Sequence, residues 1–427
     1  MTPAVLGHAI SGRRDLPIPD WLFLAGAALA VIISFVALAA AWPKPRLQGP
    51  TVVRPVPLLE RDETEVALGT LGVFLFVATL VACFAGPGNV ADNFAPYVIF
   101  VLAWVGVPVL SVVLGPVGVA LNPWRAIASV PPLAGRTARP LPAGVGVWPA
   151  VGALLVFLWL ELGFFPFSQS AAWLGVFLIA YTVFLLAGCA RFGRDAWLDA
   201  ADFLTVYTRL AAGIAPLGPG VDADGTPGRF GWRRPLAPLT QIPWRPGLSA
   251  FVTTLLGSTT FDGFTESDAW RALIGDAGPG ARLVWSTAGL VLACALVLAL
   301  FRGACIWAAR VGGKTTAEVE QAFTHTLVPI ALAYAVAHYF SLLVLQGSIG
   351  LALLVGWNAL RIPLTALSAN TIWIVQVVAI VAGHVAGVVL AHDRAVAMFR
   401  PSRVVRGQWA MLVLMVVFTV GGLQVLS

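Results

Sequence analysis

Four of the five histidines in this chain, His325, His338, His384 and His392, lie inside two apolar runs, residues 323–341 and 376–394. A run of about 20 apolar residues is long enough to cross a bilayer as a helix. An ionisable side chain inside such a run is costly and faces the interior of a bundle, which marks it as a candidate functional site. Imidazoles there can move a proton or bind a metal. The plain structural reading is four histidines satisfied by hydrogen bonds to neighbouring helices. Helix geometry constrains both readings. His325 and His338, thirteen residues apart, stand roughly 20 Å apart and on nearly opposite faces, and His384 and His392 are separated by about 12 Å. No HExxH or similarly tight metal spacing occurs, so any site must be assembled across helices.

Carboxylates supply the other half of such chemistry. Glu161 stands near the end of an apolar run in FLWLELGF, and Asp262 ends the Ser- and Thr-dense stretch 248–266, LSAFVTTLLGSTTFDGFTE. From residue rise, His338 lies roughly 24 Å above the cytoplasmic end of its helix, with Gln376 at about the same height on an antiparallel helix. Glu161 falls in the same layer and Asp262 just beyond it. Tyr334, His338 and Ser341 share a face at i, i+4, i+7. The prediction is a polar layer in the outer half of the bilayer. Glu161, His338 and Asp262 are its catalytic candidates; Ser258, Thr259, Thr260, Tyr334 and Gln376 are its substrate-binding candidates. A carboxylate beside an imidazole in low dielectric tunes a general base or supports a metal. His325, His384 and His392 are expected near the cytoplasmic side with Asp393, as candidate ligands of a divalent metal.

The elements that position these residues follow from composition. The chain has 427 residues, 59% hydrophobic and only 11% charged, far from the soluble norm. It reads as one all-α domain over residues 1–427, a polytopic membrane bundle of about ten transmembrane helices. The sixth, within 248–266, is short or broken, and a re-entrant hairpin is the alternative to a tilted span. Arg13, Arg14, Arg271, Arg282 and Arg361 fall on one side of this topology, and every other Lys and Arg falls in loops 43–65, 115–147, 191–247, 302–320 and 392–407. That bias places both termini outside the cytoplasm of a bacterial plasma membrane. The same distribution means that the net charge of +6 orients the chain and is not a nucleic-acid footprint. The N-terminal segment has no signal-peptide pattern. The four cysteines form no CxxC and read as small core residues.

Residues 191–247 are the largest extramembrane segment. Asp195, Asp199 and Asp202 recur at i, i+4, i+7, so an amphipathic helix with one solvated acidic stripe is expected at the membrane surface. The Gly/Pro-rich residues 218–231 read as a surface loop. Gly383 and Gly387 form GxxxG around His384, which predicts close packing against a neighbouring helix.

Several of these stretches carry a family resemblance: GRRDLPIPDWLF, NPWRA (122–126), WLEL (159–162), GRDAW (193–197), LGSTTFDGF (256–264), THTLVPIALAYAVAHYFSL and GHVAGVVLAHDRA. In this order they resemble the bacterial integral-membrane family, frequent in actinobacteria, that is named fenitrothion hydrolase. The resemblance spans nearly the whole chain. It implies hydrolysis of the P–O–aryl bond of an organophosphorus triester, a lipophilic small molecule arriving from the bilayer. Such chemistry needs an activated water and a stabiliser for charge on the phosphoryl oxygen, with Glu161 or His338 as base. Two other classes fit the composition. A small-molecule transporter is favoured by ten spans and the short sixth segment. A haem or copper protein is favoured by histidines on facing helices, although His338 meets Gln376 rather than a second histidine.

Overall fold

The computed structural model describes residues 20–426 apart from 52, 131–137, 165–166, 168–169 and 223–225. The N-terminal segment with His8, Arg13 and Arg14, and Arg136, lie outside the described residues. Among the described residues nine helices are long and apolar enough to cross a membrane, so the chain is a helical membrane bundle with very little sheet. Eight of them, with the helices that pack among them, are α1 (Asp20–Ala41), α2 (Asp62–Ala85), α3 (Phe94–Leu114), α4 (Trp148–Leu162), α5 (Ala171–Phe192), α6 (Arg194–Ala201), α7 (Phe203–Ala212), α8 (Leu248–Thr265), α9 (Pro279–Gly312), α10 (Val328–Val355) and α11 (Ala369–Met398). The last is α12 (Val404–Leu426). Hydrocarbon leaves backbone polar groups no partner but each other, which favours helix throughout. Local signals set the ends: Pro149, Pro279 and Pro329 stand in first turns, and Gly313 and Gly356 close α9 and α10 at positive φ. Large side chains such as Phe74, Val81, Val183, Leu292 and Val355 are exposed along the outer faces, a surface suited to lipid.

The sixth segment is neither broken nor a hairpin. α8 is one continuous 18-residue helix, about 27 Å long. It is the most enclosed helix of the bundle: residues 248–259 and 261–263 are all buried, against α4, α9, α10 and α12. A Cβ on Gly257 would come within 2.6 Å of the Cys294 Cα, so glycine is what lets α8 lie against α9. The GxxxG expectation holds in the same way. Cβ atoms at Gly383 and Gly387 would meet Ala333 at 2.2 Å and the Thr326 carbonyl at 2.9 Å, and α11 packs along α10. The four cysteines are buried and free.

Residues 191–247 depart from expectation. The acidic stripe does not lie on one helix, because the chain turns at Asp202, whose side chain accepts from Leu204 N and caps α7. Asp202 is fully buried, so it cannot belong to a solvated face. The turn lets Phe203 and Tyr207 reach Trp104 and Phe157, with ring centroids 5.3–6.1 Å apart. The stretch 218–231 is likewise not a plain loop. Strands β2 (Leu217–Val221) and β3 (Pro227–Trp232) pair antiparallel, and β1 (Arg54–Pro55) adds to the other edge of β3. Its glycines hide the strand pattern but admit a close approach: a Cβ on Gly231 would lie 2.1 Å from the Arg54 carbonyl oxygen.

Candidate functional site

Asp262 sits in the last turn of α8, where Thr265 Oγ1 donates to its carbonyl at 2.6 Å. His338 and Tyr339 face it from the middle of α10. His338 Nε2 lies 3.0 Å from Asp262 Oδ2, and the Tyr339 hydroxyl donates to the same oxygen at 2.7 Å. The two rings stand edge to face, centroids 4.7 Å apart. Asp262 is 1% exposed and His338 7%. With Nε2 on the carboxylate, His338 Nδ1 is bonded to no described residue and is the ring nitrogen left to exchange a proton. Glu161, in the last turn of α4, lies within electrostatic reach of both Asp262 and Tyr339. Its Oε2 is buried and has no hydrogen-bond partner among the described residues. A buried carboxylate oxygen without a donor is expensive, so this atom calls for a water or a ligand.

Beside the cluster is a void of about 10 Å³, lined by Trp104, Val105, Tyr207, Leu255, Thr259, Ala331, Ala335 and Tyr339. That is room for about one water. Trp104 and Val105 come from a π-helical stretch of α3, Tyr97–Gly106. The wider π turn is common at functional sites. Trp159 Nε1 donates to Thr287 Oγ1 at 2.9 Å and pins α4, with Glu161 two residues on, to α9.

Three predicted residues, Glu161, Asp262 and His338, therefore do come together. The substrate-binding group mostly does not. Ser258, Thr259 and Thr260 hydroxyls donate back to the Leu255 and Leu256 carbonyls of their own helix, as hydroxyls in apolar helices do; only Thr259 also lines the void. Tyr334 faces away, its hydroxyl donating to the Phe418 carbonyl of α12 and its ring packing on His384. No hydrogen bond joins Gln376 to the cluster among the described residues. The three histidines predicted as metal ligands lie in separate surroundings, and neither ring nitrogen of His325 has a hydrogen-bond partner among the described residues. His384 Nδ1 lies 2.8 Å from the Ile380 carbonyl. His392 lies between Gln408 and the Trp42 carbonyl, and His325 sits beside Ile242 and Arg394. Among the described residues no three His, Cys, Asp or Glu side chains are grouped to hold a metal ion.

Asp393 belongs to a different kind of site. It accepts from Trp42 Nε1 (3.0 Å), Gln48 Nε2 (2.7 Å) and the Arg46 and Leu47 amides, while Arg394 donates to Gln48 and to the Thr240 carbonyl. This knot ties loop 42–48 to the end of α11. Tyr339 and Tyr207 were missed from sequence. The helical repeat through His338 selects Tyr334, whereas the face of α10 that meets Asp262 carries Tyr339. Comparison with family models, curated proteins and solved structures finds no match for this chain.

Proposed function

We propose that the chain is a membrane-embedded hydrolase of aryl phosphotriesters, the activity its motifs resemble, with Asp262, His338, Tyr339 and Glu161 as the acid–base centre. The observation that carries this reading is the buried Asp262–His338 contact with a water-sized void beside it. The Asp262–His338 pair is the base. A water beside the cluster attacks phosphorus as its proton passes, through the Tyr339 hydroxyl and Asp262, to His338. The water oxygen–phosphorus bond forms, the P–O–aryl bond breaks, and the aryl oxide leaves with the electron pair. Of the four residues only Tyr339 lines the void, so its hydroxyl is the group that meets the water there, and Glu161 Oε2 is an acceptor for a second water. A triester is far larger than the void, so the surrounding helices must part to admit it. Ten crossings, with α8 as the sixth and both termini outside the cytoplasm of a bacterial plasma membrane, complete the reading; the distribution of basic loops supports this topology.

A proton-coupled small-molecule transporter is the second reading, favoured by two carboxylates within electrostatic reach of each other, half-buried Glu161 and buried Asp262, in a closed bundle. The separating experiment uses purified protein in proteoliposomes with a nitrophenyl phosphotriester. Nitrophenol release that disappears in His338→Ala and Glu161→Gln supports the hydrolase. Pumped accumulation of intact compound with no release, or release unchanged in both variants, overturns it.

A further inference from the structure

At the end of α8 opposite Asp262, a cleft of about 410 Å³ opens between α7, β2 and residues 237–248, a size suited to a small-molecule ligand. Its walls are largely apolar, with Val119, Val206, Leu210 and Ile242 among them, yet three arginines, Arg209, Arg233 and Arg245, line it. One carboxylate, Asp199, lines it too, and that group is already shared: its Oδ1 accepts from Arg125 and Arg209, both at 2.8 Å. The other partner of Arg125, Asp195, is shared in turn with Arg194. Arg245 Nη1 donates to the backbone carbonyl of Asp199 at 3.2 Å. Arg233, 9% exposed, donates to the carbonyls of Ala212, Ala215 and Pro219. That arrangement caps the C-terminal end of α7 but supplies no formal negative charge. The cleft is thus apolar and cationic, with guanidinium N–H groups of Arg209 and Arg245 left over.

We propose that this cleft is a second ligand site, which takes a phosphate-headed amphiphile: the phosphate against Arg209 and Arg245, above Arg233, and the apolar part along Val119, Val206 and Leu210. Guanidinium forks match phosphate oxygens in pairs. Burial holds the Arg233 guanidinium down to about 10, the response of a cation with no carboxylate partner, and an anion in the cleft relieves it. This end of the bundle also carries the basic loops, the side on which a membrane presents anionic headgroups. The phosphate can come from such a headgroup or from a soluble organic phosphate.

The test uses full-length protein in neutral detergent, with lipid retention read by native mass spectrometry for phosphatidylglycerol against phosphatidylcholine, and melting temperature read with inorganic phosphate. The expected result is selective retention of phosphatidylglycerol that falls about tenfold in Arg209→Ala/Arg245→Ala while phosphatidylcholine retention is unchanged. Phosphate that raises the melting temperature and displaces the lipid points to a soluble phosphate as the natural source; retention with no phosphate effect points to the headgroup. Should the double variant fail to fold, Arg245→Gln alone, which gives up a single carbonyl contact, serves instead. Equal retention of the two lipids by the unsubstituted protein with no phosphate response, or selective retention unchanged in the variant, overturns the proposal. Neither readout depends on hydrolysis, so failure here is separable from failure of the function proposed above.

Discussion

Asp202 and Asp262 are both buried carboxylates in an apolar bundle, and they are built in opposite ways. Around Asp202 every partner is a donor: the Tyr181 hydroxyl (2.7 Å), Asn122 Nδ2 (2.7 Å), Thr205 Oγ1 (2.7 Å) and the Leu204 amide (3.2 Å). Around Asp262 the partners seen are Tyr339, a hydroxyl donor like Tyr181, and His338, an imidazole with a second ring nitrogen. The first arrangement holds helices together, fixing the turn between α6 and α7 and tying both to α5. The second joins the end of α8 to the middle of α10, and under the proposed function it is the pair that exchanges protons. A carboxylate encircled by fixed donors suits a structural role; one bonded to an imidazole whose other nitrogen has no partner among the described residues suits chemistry.

The same substitution made at both positions tests that contrast. Asp262→Asn is expected to lower turnover of a phosphotriester by about 10²–10⁴-fold while the melting temperature stays near that of the unsubstituted protein, because His338 can change tautomer to suit an amide. Asp202→Asn turns an amide NH₂ toward groups that are already donors. It should destabilise by about 2–3 kcal/mol, measured by thermal unfolding in detergent. If both variants melt alike, the distinction between the two sites is wrong. A smaller effect sharpens the packing side. Gly257→Ala pushes a methyl against the α9 backbone at Cys294 and should cost about 1–3 kcal/mol, whereas Gly152→Ala, with open space around it, should be neutral or slightly stabilising. Smallest of all is Glu60, exposed at the sheet edge. Its carboxyl is held below the usual value chiefly by the Arg229 side chain, which outweighs desolvation, with the Phe230 amide adding to it. A lowered folded-state value means that the contact contributes above the ordinary carboxylate range and is lost as pH falls through the lowered value. Hydrogen exchange at Phe230 should therefore lose protection in acid relative to Glu60→Gln, in which this difference disappears.

The bundle was legible because long apolar runs leave little choice of structure, and the Glu161–Asp262–His338 grouping because residue rise fixes depth. Facing was harder. Residue rise places Tyr334 and Gln376 near the right height but says nothing about which neighbour a helix face meets, and Tyr334 turned toward α12. Local partners also overrode pattern. The i, i+4, i+7 spacing of Asp195, Asp199 and Asp202 is a perfect helical stripe, yet an aspartate is also a strong N-cap, and burial of Phe203 and Tyr207 decided for the cap. In residues 218–231, glycine and proline that read as loop instead allowed strands to pair closely.

The knot at Asp393 and Arg394 reaches, through the Thr240 carbonyl, to within eight residues of where α8 begins, and Ser249 in its first turn is bonded to Thr324 at 2.9 Å. One end of α8 is therefore anchored. Asp262 stands about 21 Å along the rod from Leu248, so a tilt of about 5° at that foot sweeps the carboxylate roughly 2 Å sideways. A displacement of that size would part the carboxylate from the imidazole, so under the proposed function proton transfer would answer to the lie of the whole rod.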